Sequence, residues 1–493
     1  SSSNTAVGEA AMGTGVLDGV DGATAIGYQS LKALTTGAGN TAVGYQAADS
    51  VGTGANNTIV GNLSLSSANT AAVGNTTLGQ GTMLNCSSAT TDSNIAIGRA
   101  AMTGGSGNMT GCIAIGVLAL DDTTVEDHIG TIAIGHNALT ACTSGAFNTA
   151  IGYLAAKQTT TAEHNTVVGY GAFEDFGHAD ADGNTVMGFN AMGGGHSTAS
   201  NNTGGYNVAI GGGAIGGTTG TSTAITAHNN VGIGWGALAT ISTGSHNIVL
   251  GKDSGNVLTT GVQNIVIGTE AGAAMTTEDE CVLIGYQAGT ALTTDDADGT
   301  IAVGYKALTA LTSGIGNVAI GYQSQDANVT GDYNTSVGTS ALGALNQDGH
   351  NGNTAVGYQA GMALTTATDS TVIGMQALLT EDAASRSTAI GTQALYSQNA
   401  GSGNSNNTGV GVFAGYHNTT GTGNTYIGKA AGIGSSGGNN SNNTAVGANA
   451  AYSIYDGEGN TSIGTSAGLF TTTADSSTFI GFQAGQGITG AKL

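Results

Sequence analysis

The chain is predicted to be all-β: a parallel β-solenoid of about 27 short repeats wound as a β-roll into an elongated rod, with no helical domain. Three observations predict it. The phrase Asn-Thr-Ala-Val-Gly stands whole at Asn4–Gly8, Asn40–Gly44, Asn353–Gly357 and Asn443–Gly447, and 27 degenerate copies can be aligned on their glycine. The spacing of those glycines is mostly 17 or 19 residues, and insertions fall between phrases, never inside them. The third is composition: 87 Gly, no Pro and only 8% charged residues in 493, far from the roughly 25% charge of ordinary domains. A fixed period of this kind marks stacked repeats, because one repeat cannot bury its own apolar face.

The same composition narrows the function. Lys and Arg total 8 against 31 Asp and Glu, a net charge of −23, so nucleic acid is an unfavourable partner and so is an anionic membrane surface. No stretch reaches the ~18 consecutive apolar residues of a membrane span. The chain opens on Ser1 with no recognisable leader and is expected to be a processed product or a fragment. The four cysteines, Cys86, Cys112, Cys142 and Cys281, lack zinc spacing. Cys112 and Cys281 occupy the place of the phrase's Asn, which reads as small buried residues in its stead, a disulfide between coils or chains being the other reading.

Within one repeat, the residue before the glycine is Val or Ile in nearly every copy, with Met187 and Leu250 as exceptions. Two residues earlier stands Thr, Ile or Val, except for Ala71 in the copy aligned on Gly74. Both positions lie on one face of a strand and are β-branched, so they are expected to supply the core. The residue between them varies from Gly232 to Tyr426 and is expected to face outward. The glycines, among them Gly8, Gly44, Gly152, Gly285, Gly357 and Gly447, are expected to make a sharp bend, followed by a short second strand and a polar turn. Asn opens the phrase in 18 copies; stacked, it would form a hydrogen-bonded ladder. One-repeat coils would make a rod about 130 Å long at the usual strand spacing. The recurrent 17-17-19 rhythm allows another reading, three repeats per turn and a rod of about 43 Å.

Asn-Thr-Ala-Val-Gly-Tyr-Gln-Ala at 40–47 and 353–360 resembles the head repeats of trimeric autotransporter adhesins of the YadA type and the repeats of phage- and virus-type tail-fibre proteins. The resemblance covers Asn4 to about Ala484. It implies a left-handed β-roll, three chains wound about a common axis, exposure on a cell or virion surface, and attachment. The stretch 1–493 is read as a single repetitive domain without a separate anchor, stalk or catalytic domain.

Two features could carry specificity. Aromatic residues follow the glycine at Tyr45, Tyr153, Tyr170, Trp235, Tyr286, Tyr305, Tyr322 and Tyr358, among others. Such a row could stack on sugar rings, since these side chains pair an apolar face with a polar tip, or it could simply pack coil on coil. Acidic residues fill the longer intervals, as Asp180 and Asp182, and Asp295, Asp296 and Asp298. They are weak Ca²⁺ candidates, since that ion wants six to eight oxygens, or solvated loops. No cofactor is otherwise expected. The expected function is a non-enzymatic structural and adhesive fibre, extracellular or on a virion, partnered by copies of itself and by a surface glycan. The alternatives are a self-assembling filament with a mechanical role and, less favoured, a polysaccharide-degrading enzyme, which needs two carboxylates facing each other across a groove.

Overall fold

The computed structural model describes residues 3–13, 17–66, 71–86, 91–105, 107–123, 127–193, 202–216 and 224–487. They fall into two units, Ser1–Asp253 and Ser254–Leu493, both built the same way. Each repeat contributes one three-residue strand, such as Thr24–Ile26, Thr41–Val43 and Thr58–Val60 in the first unit and Val282–Ile284, Ile301–Val303 and Val318–Ile320 in the second. Among the described residues there are 27 strands of this type. Within each unit these strands lie parallel to the strand of the next repeat, position on position: Thr24 beside Thr41, Thr41 beside Thr58 in the first, Val282 beside Ile301, Ile301 beside Val318 in the second. One repeat is therefore one coil, and the three-repeat turn is excluded. Among the described residues the only helical element is the 3₁₀ turn Asp295–Ala297, inside an insert. Some repeats add a two-residue parallel pairing just before the strand, such as Gly331–Asp332 with Gly349–His350.

The bend at the glycine is as expected. Gly44 has φ +143°, outside the range of residues with a side chain, and a Cβ there would lie 2.3 Å from the carbonyl oxygen of Gly61 in the next coil. Gly8, Gly152, Gly285, Gly357 and Gly447 share this geometry, with φ between +132° and +144°.

Three expectations are corrected. First, the copy aligned on Gly74 is out of register. The strand there is Thr76–Leu78, its bend is Gly79, with φ +141°, and Gly74 is an ordinary turn glycine with φ +69°. The phrase is Asn75-Thr76-Thr77-Leu78-Gly79, and the anomalous Ala71 disappears. Second, among the described residues no second strand follows the bend. The chain passes through turns in which the second and fourth residues after the glycine are left-handed, as at Gln46 and Ala48 or Lys306 and Leu308. This conformation costs roughly 1–2 kcal/mol for an L-residue. It also points successive amides both ways along the stack: Gln46 N–H donates to Tyr28 O on one side (2.8 Å), and Ala48 N–H to Ser64 O on the other (2.9 Å).

Third, the faces of the strand are the reverse of the expectation. The middle residue points inward: Ala42, Ile59, Ala302 and Ala319 have no exposed surface. The β-branched residues on either side point outward and stay half-exposed. A coil of 17 residues encloses a thin interior. Apolar columns fill it, represented in one coil by Ala302, Ala307, Leu308 and Leu311, all fully buried, beside a column of buried asparagines. The outward β-branched pair is satisfied by its neighbours above and below, which is what a pleated surface asks of Val, Ile and Thr.

The inward positions share one volume. Leu283 replaces the usual alanine in mid-strand where Gly272 and Gly289 stand four residues after their bends; a Cβ on either would come within 3.0 Å of its methyls. Tyr426 is fully buried between Gly415 and Gly432, where added Cβ atoms would lie 2.8 and 2.2 Å from its ring. Its hydroxyl donates to Asn440 Oδ1. Phe479 has the same relation to Gly468 and Gly485. The mid-strand variability is thus compensated packing.

Candidate functional surfaces

Behind the outer face runs the expected asparagine ladder, and it is wholly internal. Asn57 donates from its backbone N (3.0 Å) and its Nδ2 (2.9 Å) to Asn40 Oδ1, and from Nδ2 to Ala72 O (2.7 Å). Asn75 treats Asn57 in the same way, and Asn407, Asn424, Asn443 and Asn460 carry the ladder near the end of the second unit. The side chains of Asn57 and Asn75 are thereby partnered on both sides, as buried polar groups should be. Cys112 and Cys281 fit into this ladder as read from the sequence: each backbone N–H donates to the preceding Asn Oδ1, at 2.8 and 2.9 Å. All four cysteines are free and buried, and burial pushes the thiols of Cys86, Cys142 and Cys281 up to about 12.

The outward face of the strands is a regular surface in both units. One column is Val or Ile throughout except at Leu78, Met187 and Leu250; the other is Thr, with aliphatic runs at Ile95–Ile132 and Val208–Val318. No charged residue occupies either column in any of the 27 strands. Exposure of the aliphatic column is substantial: 36% at Val356, 40% at Ile427 and 38% at Ile463. Stripes of this kind on a soluble protein mark interaction surfaces.

Alongside it runs the aromatic row. Its rings stack on one another: Tyr28 on Tyr45 (centroids 5.2 Å apart), Tyr153 on Tyr170 (5.2 Å), Tyr286 on Tyr305 (5.3 Å) and Tyr305 on Tyr322 (5.0 Å). Within a stack the ring faces cover each other, while edges and hydroxyls stay exposed. Trp235 has no aromatic neighbour; its ring lies against the backbone of Gly212 and is 60% exposed. Tyr358 is likewise exposed. The next residue adds an amide ladder: Gln46 Nε2 donates to Gln29 Oε1 (2.9 Å), Gln376 to Gln359 (3.0 Å) and Gln393 to Gln376 (2.9 Å).

The acidic inserts hold turns together. Asp182 Oδ1 accepts the Glu163 N–H (2.6 Å), and Asp298 Oδ1 accepts the Asp279 N–H (2.7 Å). Asp180 lies exposed beside His178 (3.6 Å), and Asp296 is exposed. Among the described residues no three His, Cys, Asp or Glu side chains converge in a way that could hold a metal ion. Sequence reasoning missed a different carboxylate, Glu381, which is fully buried in a column otherwise filled by residues such as Leu364. Its Oε1 accepts the Ala384 N–H (2.9 Å) and its Oε2 accepts Gln398 Nε2 (3.0 Å), so amides replace its hydration. No helix among the described residues is long and apolar enough to cross a membrane. No protein-family model matches the chain, and no curated protein matches it in sequence.

Proposed function

We propose that the chain is the repetitive shaft of a non-enzymatic attachment fibre on a cell or virion surface, in which copies associate side by side through the outward face of their strands. The observation that supports this reading is that face: two uncharged columns, one aliphatic throughout, repeated at every coil. An identical copy is the partner such a face fits, because it presents the same columns at the same spacing and brings no charge to be desolvated. The homotrimer that the repeat phrase implies is the expected stoichiometry. A mechanical filament of laterally associated chains is the second reading, favoured by the same face. Light scattering of the soluble chain tests both. A trimer supports the first and an open-ended distribution the second; a monodisperse monomer at micromolar concentration overturns both.

A further inference from the structure

We propose that a second copy of this chain docks along an apolar ridge on the flank of the second unit, so that copies, or the fibres they form, bundle through a contact separate from the strand face. The ridge is the position five residues after the bend. In the seven coils bent at Gly357 to Gly464 it is apolar every time, as at Leu379, Tyr396, Tyr416, Ile433 and Tyr452. Earlier in the same unit that position holds Thr290, Thr309 and Asp326. The ridge is not core. The residue before it turns inward and is fully buried, as at Leu378 and Leu395, so the ridge side chain turns outward and stays half-exposed or exposed, 39% at Tyr452. Tyr396 and Tyr416 stack with centroids 4.9 Å apart and planes 6° apart, and Phe413 meets Tyr416 edge-on at 5.6 Å. The ridge is therefore ordered before anything docks on it.

Charge, pitch and area together select a second copy. From the first to the sixth residue after the bend, these seven coils carry a single Asp, Glu, Lys or Arg, namely Lys429. Two chains of net charge −23 repel each other elsewhere, whereas this flank brings one charge to be desolvated. Ridge side chains recur at the coil step of about 4.8 Å. A second copy repeats that step along its own ridge, while a helix rises about 5.4 Å per turn and loses phase over the same length. Six steps make the ridge roughly 29 Å long, and three residues make it roughly 10 Å wide. Burying it on both copies removes roughly 600 Å², against the ~1,200 Å² at which stable interfaces begin. One such contact is weak and reversible, so it acts where copies are crowded, as on a surface that displays many.

Sedimentation velocity of the full chain, from micromolar to millimolar concentration, tests this. The chain is expected to add larger species reversibly as concentration rises, and to keep them in high salt, because the contact is nearly uncharged. The triple variant Tyr396→Thr, Tyr416→Thr, Tyr452→Thr is expected to weaken that association about tenfold or more, since aromatic anchors dominate such contacts. Threonine is at home in this position, as Thr290 and Thr309 show, so the variant is expected to keep the unfolding midpoint of the unaltered chain. Absence of growth up to millimolar concentration overturns the proposal, as does growth abolished by salt or growth unchanged in the variant. The species present at the lowest concentration reports on the strand face alone. A monomer there that still grows through the ridge removes side-by-side assembly and leaves this contact standing; a trimer that grows no further does the reverse.

Discussion

The inside and the outside of the same three-residue strand obey different rules. Inside, Ala302 and Leu308 in one coil give way to Leu283 with Gly289, or Tyr426 with Gly432, in others. Chemistry and size change freely provided the sum is kept. Outside, the choice is narrower: Val or Ile fills one column apart from Leu78, Met187 and Leu250, Thr alternates with runs of Val or Ile in the other, and no charge is admitted. The interior is constrained pairwise by volume, and the face is constrained position by position by chemistry.

Substitutions can break or sharpen this contrast, beginning with the frame both sides share. Gly44→Ala places a Cβ 2.3 Å from Gly61 O on a backbone at φ +143°. The coil cannot close, and a loss of more than about 4 kcal/mol in urea unfolding is expected, the range of gross structural mechanisms. Tyr426→Ala, an interior change, is expected to cost about 3–5 kcal/mol. Pairing it with Gly432→Leu should recover a large part, because leucine already occupies the equivalent left-handed position at Leu308. A double-mutant cycle that shows simple additivity would refute the shared-volume account.

Asn57→Ala removes the acceptor of both Asn75 donors and is expected to cost about 1–3 kcal/mol per orphaned group. Hydrogen exchange should show the Asn75 amide losing protection first. Acid probes the interior without mutation. His128 is fully buried, its Nε2 lies 3.1 Å from Thr143 O, and burial holds its pKa below the ordinary 6.5 despite nearby Asp127. The unfolded chain takes up a proton near pH 6.5 while the folded one resists until lower pH. Stability should therefore fall as pH drops below 6.5 and level off once the folded histidine titrates. His128→Gln should remove that part of the profile. The smallest effect on the single chain is expected on the outer face. Val356→Ser and Ile373→Ser together should change monomer stability by no more than about 1 kcal/mol while shifting light scattering strongly toward monomer.

Much of this was legible in the residues. The repeat, the bend at the glycine and the asparagine ladder follow from local stereochemistry that each copy states for itself. The inward face was not legible from period two, because alternation separates two faces without saying which is buried. β-branched residues suit a stacked outer surface as well as a core. The signal that would have settled it was present: the mid-strand residue is large at Leu283, Tyr426 and Phe479, where glycine stands four places after the adjacent bends. Residues that trade volume must touch. Glu381 was invisible for a related reason, since its partners, Ala384 and Gln398, come from its own turn and from the next coil.

The sequence by itself determined that the chain coils, where each coil bends and what stacks on what, because those depend on one repeat meeting a copy of itself. Only the tertiary structure decided that one phrase completes a turn and that the aliphatic columns look outward. Each of these depends on the closure of a 17-residue loop around a space too thin for two β-branched columns. That closure belongs to no single residue pattern.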